Sequence, residues 1–288
     1  MHIQFAYFES CMVVEYLIQE FGQDAIKNIL HDLSAGLPIN FALDRHTDGL
    51  QKLEHEFEKF AKQRAKQLAE NADWEHHDLS AELNDDGNAL EQWVAKHPKN
   101  LTGLKALAHK HLTDEEWKKA QPVLQKLIDL HPTDNSSSNP YEMLVKTHRE
   151  LNQTEQERIV LERYSVIDAD SVSVYLRLIE IAAEKEDWDA VLQNAQRVLA
   201  VNPLIIQAQR QLATASEKLK KNKTAINAYR ALLVLDPNDP AETHYRLANL
   251  LHQRQDPTAK RHVLIALEEA PRFRKAHRLL LQIVQQQE

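Results

Sequence analysis

Residues 206–239 read IQAQRQLATASEKLKKNKTAINAYRALLVLDPND. Two helix-favouring runs flank a lysine-rich turn, and Asp236-Pro237 closes the stretch. Leu212-Ala213 lie 25 and 24 residues before Pro237, Ala225 lies 12 before it, and Leu232-Leu233 lie five and four before it. The same marks recur along the chain. Pro98, Pro132, Pro203, Pro237 and Pro271 are spaced 34, 71, 34 and 34 residues apart. The 71 is two periods of 34 plus three residues, which the Ser-rich run Asn135-Ser136-Ser137-Ser138-Asn139 can supply. Proline after a helix C-terminus cannot continue the helix, and a 34-residue period in a Gly-poor chain predicts stacked helix-turn-helix units.

Registering each unit on its proline extends the pattern. Ala120 and Ala259 occupy the position of Ala225, with Val191 in the same place before Pro203. Small residues at a fixed offset let helix backbones approach. Leu127-Ile128, Val198-Leu199 and Ala266-Leu267 repeat the pair close to the proline, and Leu107-Ala108 repeats the pair in the first helix. Leu247-Ala248 is displaced by one residue, which predicts a shorter loop in the last unit.

This pattern resembles the tetratricopeptide repeat family over roughly residues 88–288. The best units are Leu101 to Asp134, Val172 to Ile205 and Ile206 to Asp239. The unit from about Asn139 to Val172 is degenerate: Ala169 replaces its proline and Glu157 takes the small position, while Leu144, Val145, Leu161 and Tyr164 keep an apolar stripe. Asn88 to His97, with Trp93 and Val94, reads as the second helix of an incomplete first unit. Arg272 to Gln287, with Ala276, Leu279, Leu280 and Ile283, reads as a capping helix. The expected fold is all-α, a right-handed solenoid preceded by a small helical cluster. The resemblance implies a non-enzymatic scaffold that binds a peptide or partner protein on its concave face.

Composition agrees. The chain has 288 residues, only 5 Gly, and a net charge of -8. An acidic chain with a pI near 6.0 does not read as a nucleic-acid binder. One cysteine, Cys11, excludes an internal disulfide framework and a multi-cysteine zinc site. No basic n-region opens the sequence and no apolar run reaches the roughly 20 residues that span a bilayer. A cytoplasmic location is favoured, and no cofactor is expected.

Residues 1–72 do not follow the period. Helices are expected from Ile3 to Phe21, from Gln23 to Leu33, from Pro38 through Leu43, and from Leu50 to Glu70. The first is apolar on most faces, including Phe5, Phe8, Cys11, Val14 and Ile18, and a helix of that kind is normally buried. Ala6-Tyr7-Phe8-Glu9-Ser10, Val13 to Ile18, Phe21-Gly22, the run Leu37 to Leu43 and the Phe57 to Ala65 helix resemble the segment downstream of the zinc site in gluzincin-type (peptidase MA-like) metallopeptidases. That resemblance implies, as an alternative, the recruiting region of a larger zinc metallopeptidase. The chain contains no H-E-x-x-H. His55-Glu56-Phe57-Glu58-Lys59 begins like one, but Lys59 stands where a histidine is required, so no catalytic or metal residue is assigned. The helix around Cys11 to Ile18 is a candidate surface for self-association or for packing of an upstream domain. Residues 73–87, acidic and without Lys or Arg, read as a linker or a divergent helix, with Asp86-Gly87 as a turn.

The candidate partner-binding residues are those projected onto the concave face: Lys105, His109, Arg149, Arg210, Tyr245, Asn249 and His252, interspersed with Glu142, Lys146, Glu180 and Thr214. The lysine, asparagine and arginine set with which chaperone-binding members of the family clamp a C-terminal carboxylate is not reproduced: only Lys105 and Asn249 fall at comparable positions, in different, distant repeats. His76-His77 and the Lys218, Lys220, Lys221 and Lys223 turn read as solvated segments.

Overall fold

The computed structural model describes residues 2–80, 88–136, 138–235 and 238–286. Asp86-Gly87, Ser137, Asp236-Pro237 and Gln287 lie outside the described residues, as does the side chain of Phe5. Among the described residues there are fifteen helices. Strand pairing is confined to one isolated bridge between Asp73 and Asn100. The fold is all-α: an N-terminal helical cluster, then a run of helical hairpins. Backbone contacts divide the chain into two compact units, 1–106 with 126–133 and 107–125 with 134–288.

In the first unit, α1 (His2–Ser34) breaks at Gly22, whose φ of 79° and ψ of 169° interrupt the helix. Only a residue without Cβ adopts that conformation readily. α2 (Ile39–His46) starts after Pro38, and α3 (Leu50–Leu68) follows Gly49. The break at Gly22 and the starts beside Pro38 and at Leu50 are the expected ones, while α2 runs on to His46 and α3 ends at Leu68 rather than Glu70. Tyr16, Leu17, Ile29, Ala42 and Leu53 form the centre of the cluster, with Phe21, Phe57 and Phe60 packed against it. The Tyr16 ring lies 5.1 Å from Phe60 and 5.8 Å edge-on from Phe57. Asp32 on α1 is buried and takes His46 Nε2 at 2.8 Å and Arg45 Nη1 at 3.4 Å, tying α2 to α1.

Further along, α4 (Ala89–Lys96) ends before Pro98 and α5 (Leu101–Thr113) begins at a tight knot. The Asp73 amide donates to Lys99 O at 2.8 Å and the Leu101 amide donates to Asp73 O at 3.0 Å. The Asn100 side chain, fully buried, donates to Asp73 Oδ2 and Glu75 O and caps α5 by accepting from the Gly103 amide at 2.9 Å. Residues 73–75 are therefore fastened to the start of α5. Leu79 is buried, and Trp74, largely exposed, meets the His131 ring edge-on at 5.3 Å.

α6 (Trp117–Leu130) completes the first hairpin. The second unit continues with α7 (Pro140–Glu150), α8 (Thr154–Ile167), α9 (Val172–Glu184), α10 (Trp188–Val201), α11 (Ile206–Lys218), α12 (Asn222–Val234), α13 (Pro240–Gln253), α14 (Ala259–Glu269) and α15 (Arg274–Gln285). From α7 to α15, consecutive helices pack within each hairpin and between hairpins, and α13 also reaches α15. The registered positions carry the packing. Ala120, Val191, Ala225 and Ala259 are buried, as are Leu127, Val198, Leu232 and Ala266. Side chains of Asn139, Asp187 and Asp239 cap α7, α10 and α13, each accepting the amide three residues on, which satisfies a donor the helix would otherwise leave open.

Every hairpin turn ends its first helix in the same way. Glu115, Asn152, Glu186, Lys220 and Gln255 have φ of 54–57°. The amide after each reaches back to a carbonyl five residues earlier: Glu116 to His111, Gln153 to His148, Asp187 to Ala182, Lys221 to Ser216 and Asp256 to Leu251, all at 2.8–2.9 Å. This is the Schellman cap, usually built on glycine. The shorter loop expected in the last hairpin is not found. Arg254–Thr258 connects α13 to α14 with five residues, and the displacement of Leu247-Ala248 is absorbed by α14, which has 11 residues against 13 in α12.

Candidate functional site

Tyr245 and Asn249 are one turn apart on α13 and line a cavity of about 330 Å³ with Lys275, Arg278, Leu279 and Gln282 of α15. Leu279 is buried and forms the floor, while Lys275, Arg278 and Gln282 are exposed at the rim. The Tyr245 ring is held edge-on by Phe273 at 5.0 Å, across from a second depression lined by Asp239, Glu242 and Arg272. The carboxylates of that depression are engaged: Asp239 accepts the Glu242 amide at 3.0 Å, and Glu242 accepts from Arg246 Nε at 2.7 Å.

The other projected residues do not gather here. Arg149 serves a different arrangement. Its Nε and Nη2 donate to Glu157 Oε1 at 3.0 and 2.9 Å, and Arg177 Nε and Nη2 donate to the two Glu157 oxygens at 2.8 and 2.9 Å. Glu157 is only 1% exposed. Burial pushes its carboxyl up, but the hydrogen bonds and charges of Arg177 and Arg149 outweigh that and hold it below the usual range. The departure from the repeat at Glu157 is therefore a buried carboxylate clamped from α7 and α9. Arg210 is exposed on α11, His109 is exposed near the end of α5, and His252 is half-buried near the end of α13. Lys105 belongs to the first unit.

Neighbouring histidines make defined contacts. His111 is buried and bonds Glu116 Oε2 at 2.8 Å. His77 packs near Trp93, which stacks on His97 at 4.1 Å. His244 on α13 and His262 on α14 share one hydrogen bond, Nδ1 to Nδ1, at 3.0 Å, a pair that sequence spacing alone does not mark. In the lysine turn, Lys218 lies over the Trp188 ring at 5.3 Å and Lys221 approaches Asp189 at 3.4 Å. Among the described residues no group of three or more His, Cys, Asp or Glu is arranged to hold a metal ion. Among the described residues no helix is long and apolar enough to cross a membrane. The outer flank of α1 leaves Tyr7, Phe8, Cys11, Val14 and Ile18 exposed.

No family model matches the chain, and no curated protein matches it. Among solved structures it is similar to YrrB, described as a TPR protein with an unusual peptide-binding site, at 14% identity over 66% of this chain and 96% of that one, TM-score 0.47. It is also similar to MamA from Desulfovibrio magneticus RS-1, residues 41 to the end, at 16% identity over 60% and 97%, TM-score 0.41. A third is the Cut9–Hcn1 hetero-tetramer of the APC/C, at 19% identity over 70% and 46%, TM-score 0.37. These are likenesses of fold at most, and they lend no support to the metallopeptidase resemblance of residues 1–72.

Proposed function

We propose that this chain is a non-enzymatic scaffold that holds a peptide segment of a partner protein in the groove of its second unit. The observation that carries the reading is the cavity between α13 and α15. It offers an immobilised aromatic ring, Tyr245, and an amide, Asn249, over an apolar floor. An amide can hold a peptide backbone through paired donor and acceptor bonds. Packed aromatic anchors of this kind supply most of the energy in protein interfaces. Arg210 and His252 extend the same reading along the unit. The test is capture of partners from the native lysate on the immobilised chain. Partners retained by the unaltered chain should be lost by the Tyr245→Ala, Asn249→Ala variant. A captured set indifferent to these changes would sink groove binding.

A second reading is favoured by the exposed flank of α1. In it, residues 1–72 pack on the catalytic half of a larger zinc metallopeptidase, and the repeats recruit for it. Zinc-dependent hydrolysis by a longer protein, with none from this chain, supports that reading. Light scattering at rising concentration separates it from simple pairing of two copies through α1.

A further inference from the structure

The chain as a whole is acidic, yet its last helix is not. Between Pro271 and Gln287 stand Arg272, Arg274, Lys275 and Arg278 with no Asp or Glu. Lys275 and Arg278 face the Tyr245 cavity, and among the described residues neither has an ion-pair partner. Among the described residues no carboxylate lines that cavity. Its polar groups are an ammonium, a guanidinium fork, two amides and a phenol, all able to donate. Two unpaired cations on one wall repel each other, and an anion between them relieves that. The carboxylates of the neighbouring depression already have partners, Asp239 in the α13 cap and Glu242 in Arg246.

We propose that this cavity takes the side-chain carboxylates of an acidic peptide segment, which deepens the groove reading and rests on it. Arg278 offers bidentate geometry to a carboxylate, Lys275 a point charge, and Tyr245 and Leu279 an apolar bed for the residue between two acids. The size fits side chains, since about 330 Å³ is at the small end of ligand pockets.

The experiment is fluorescence anisotropy on the full chain with two dye-labelled decapeptides, one of glutamate and leucine and one of glutamine and leucine. The glutamate peptide should bind roughly tenfold more tightly or better at low salt, with the gap closing as salt rises. The Lys275→Gln, Arg278→Gln variant, checked for helix content by circular dichroism, should lose that preference. Arg261→Gln, an exposed change on α14 outside the cavity, should keep it. Equal binding of the two peptides, binding of neither, or no effect of the double variant overturns the proposal. So does complete displacement by inorganic phosphate at matched ionic strength, which would mark a site for a free anion, or equal affinity for single-stranded RNA. Failure here is distinguishable from failure of the groove. Partners lost by Tyr245→Ala but kept by the double charge variant would leave groove binding standing without its acidic preference.

Discussion

At five hairpin turns the backbone is left-handed, and none of the five residues is glycine. A side chain in that conformation costs roughly 1 kcal/mol, less for asparagine. Replacing Lys220 or Glu186 by glycine should therefore raise stability by about 0.5–1 kcal/mol in urea unfolding, and Asn152→Gly should gain less. The opposite holds at Gly103 on α5. A Cβ built there would stand 2.4 Å from the Trp93 ring. Alanine's better helix propensity, about 1 kcal/mol, has to offset that overlap and cannot, so Gly103→Ala should lower the unfolding free energy by about 1–3 kcal/mol, read from urea unfolding. Glu157→Ala restores the small residue of the repeat but leaves Arg149 and Arg177 facing a void. Both arginines are partly exposed, at 52% and 22%, and can recover water. The loss should thus stay near 1–3 kcal/mol, below that of a fully enclosed pair. The left-handed turns were not legible in the sequence, because glycine is the usual signal and it is absent. The clamp on Glu157 was not legible either: the period marked a missing small residue, while the arginines that satisfy the carboxylate lie 8 residues before it and 20 after it.

Element by element, helix boundaries followed glycines, prolines and caps. Gly22, Pro38 and Gly49 bound helices of the first unit, and the alternation of small and large apolar residues positions the hairpins. The basic wall of α15 went unread because concave residues were projected from the first helices of the hairpins, whereas this wall lies on the helix that follows the last hairpin. The pairing of α13 with α14 through His244 and His262 required spatial contact to see, and it makes a pH prediction. Burial lowers the pKa of both rings, against the nearby Glu269 carboxylate at His244. At His262 the neighbouring His244, Arg230 and Arg261 lower it further, against Asp256. The folded state thus binds protons more weakly than the unfolded chain, so stability is complete above the ordinary histidine value of 6.5 and declines as pH falls below it. Thermal unfolding across that range should show a falling midpoint. In His262→Gln the slope should flatten, whatever the variant's own stability at neutral pH. An unchanged slope would assign the effect to other groups.

For the whole molecule, the period made the stack legible but not its division into two compact units, since the hairpin of α5 and α6 obeys the repeat as the others do. The stack also implies how stability is distributed. In a solenoid each hairpin is held by its neighbours, so the end needs a cap with a polar outer face. Ala276, Leu279 and Ile283 of α15 are buried, in one cluster with Leu247, Leu251, Val263 and Ala266 of α13 and α14. Burying Leu279 and Ile283 contributes on the order of 1.5–3 kcal/mol each. A chain ending at Pro271 should lose about 3–6 kcal/mol from the last hairpin and expose an apolar face. Because the coupling runs between neighbours, the loss should be graded. Amide hydrogen exchange should quicken most in α13 and α14, less in α11 and α12, and little in α7 and α8, while light scattering reports association through the uncovered face. Exchange that quickens evenly from α7 to α14 would show that the second unit unfolds as one cooperative block, and nearest-neighbour coupling would not describe it.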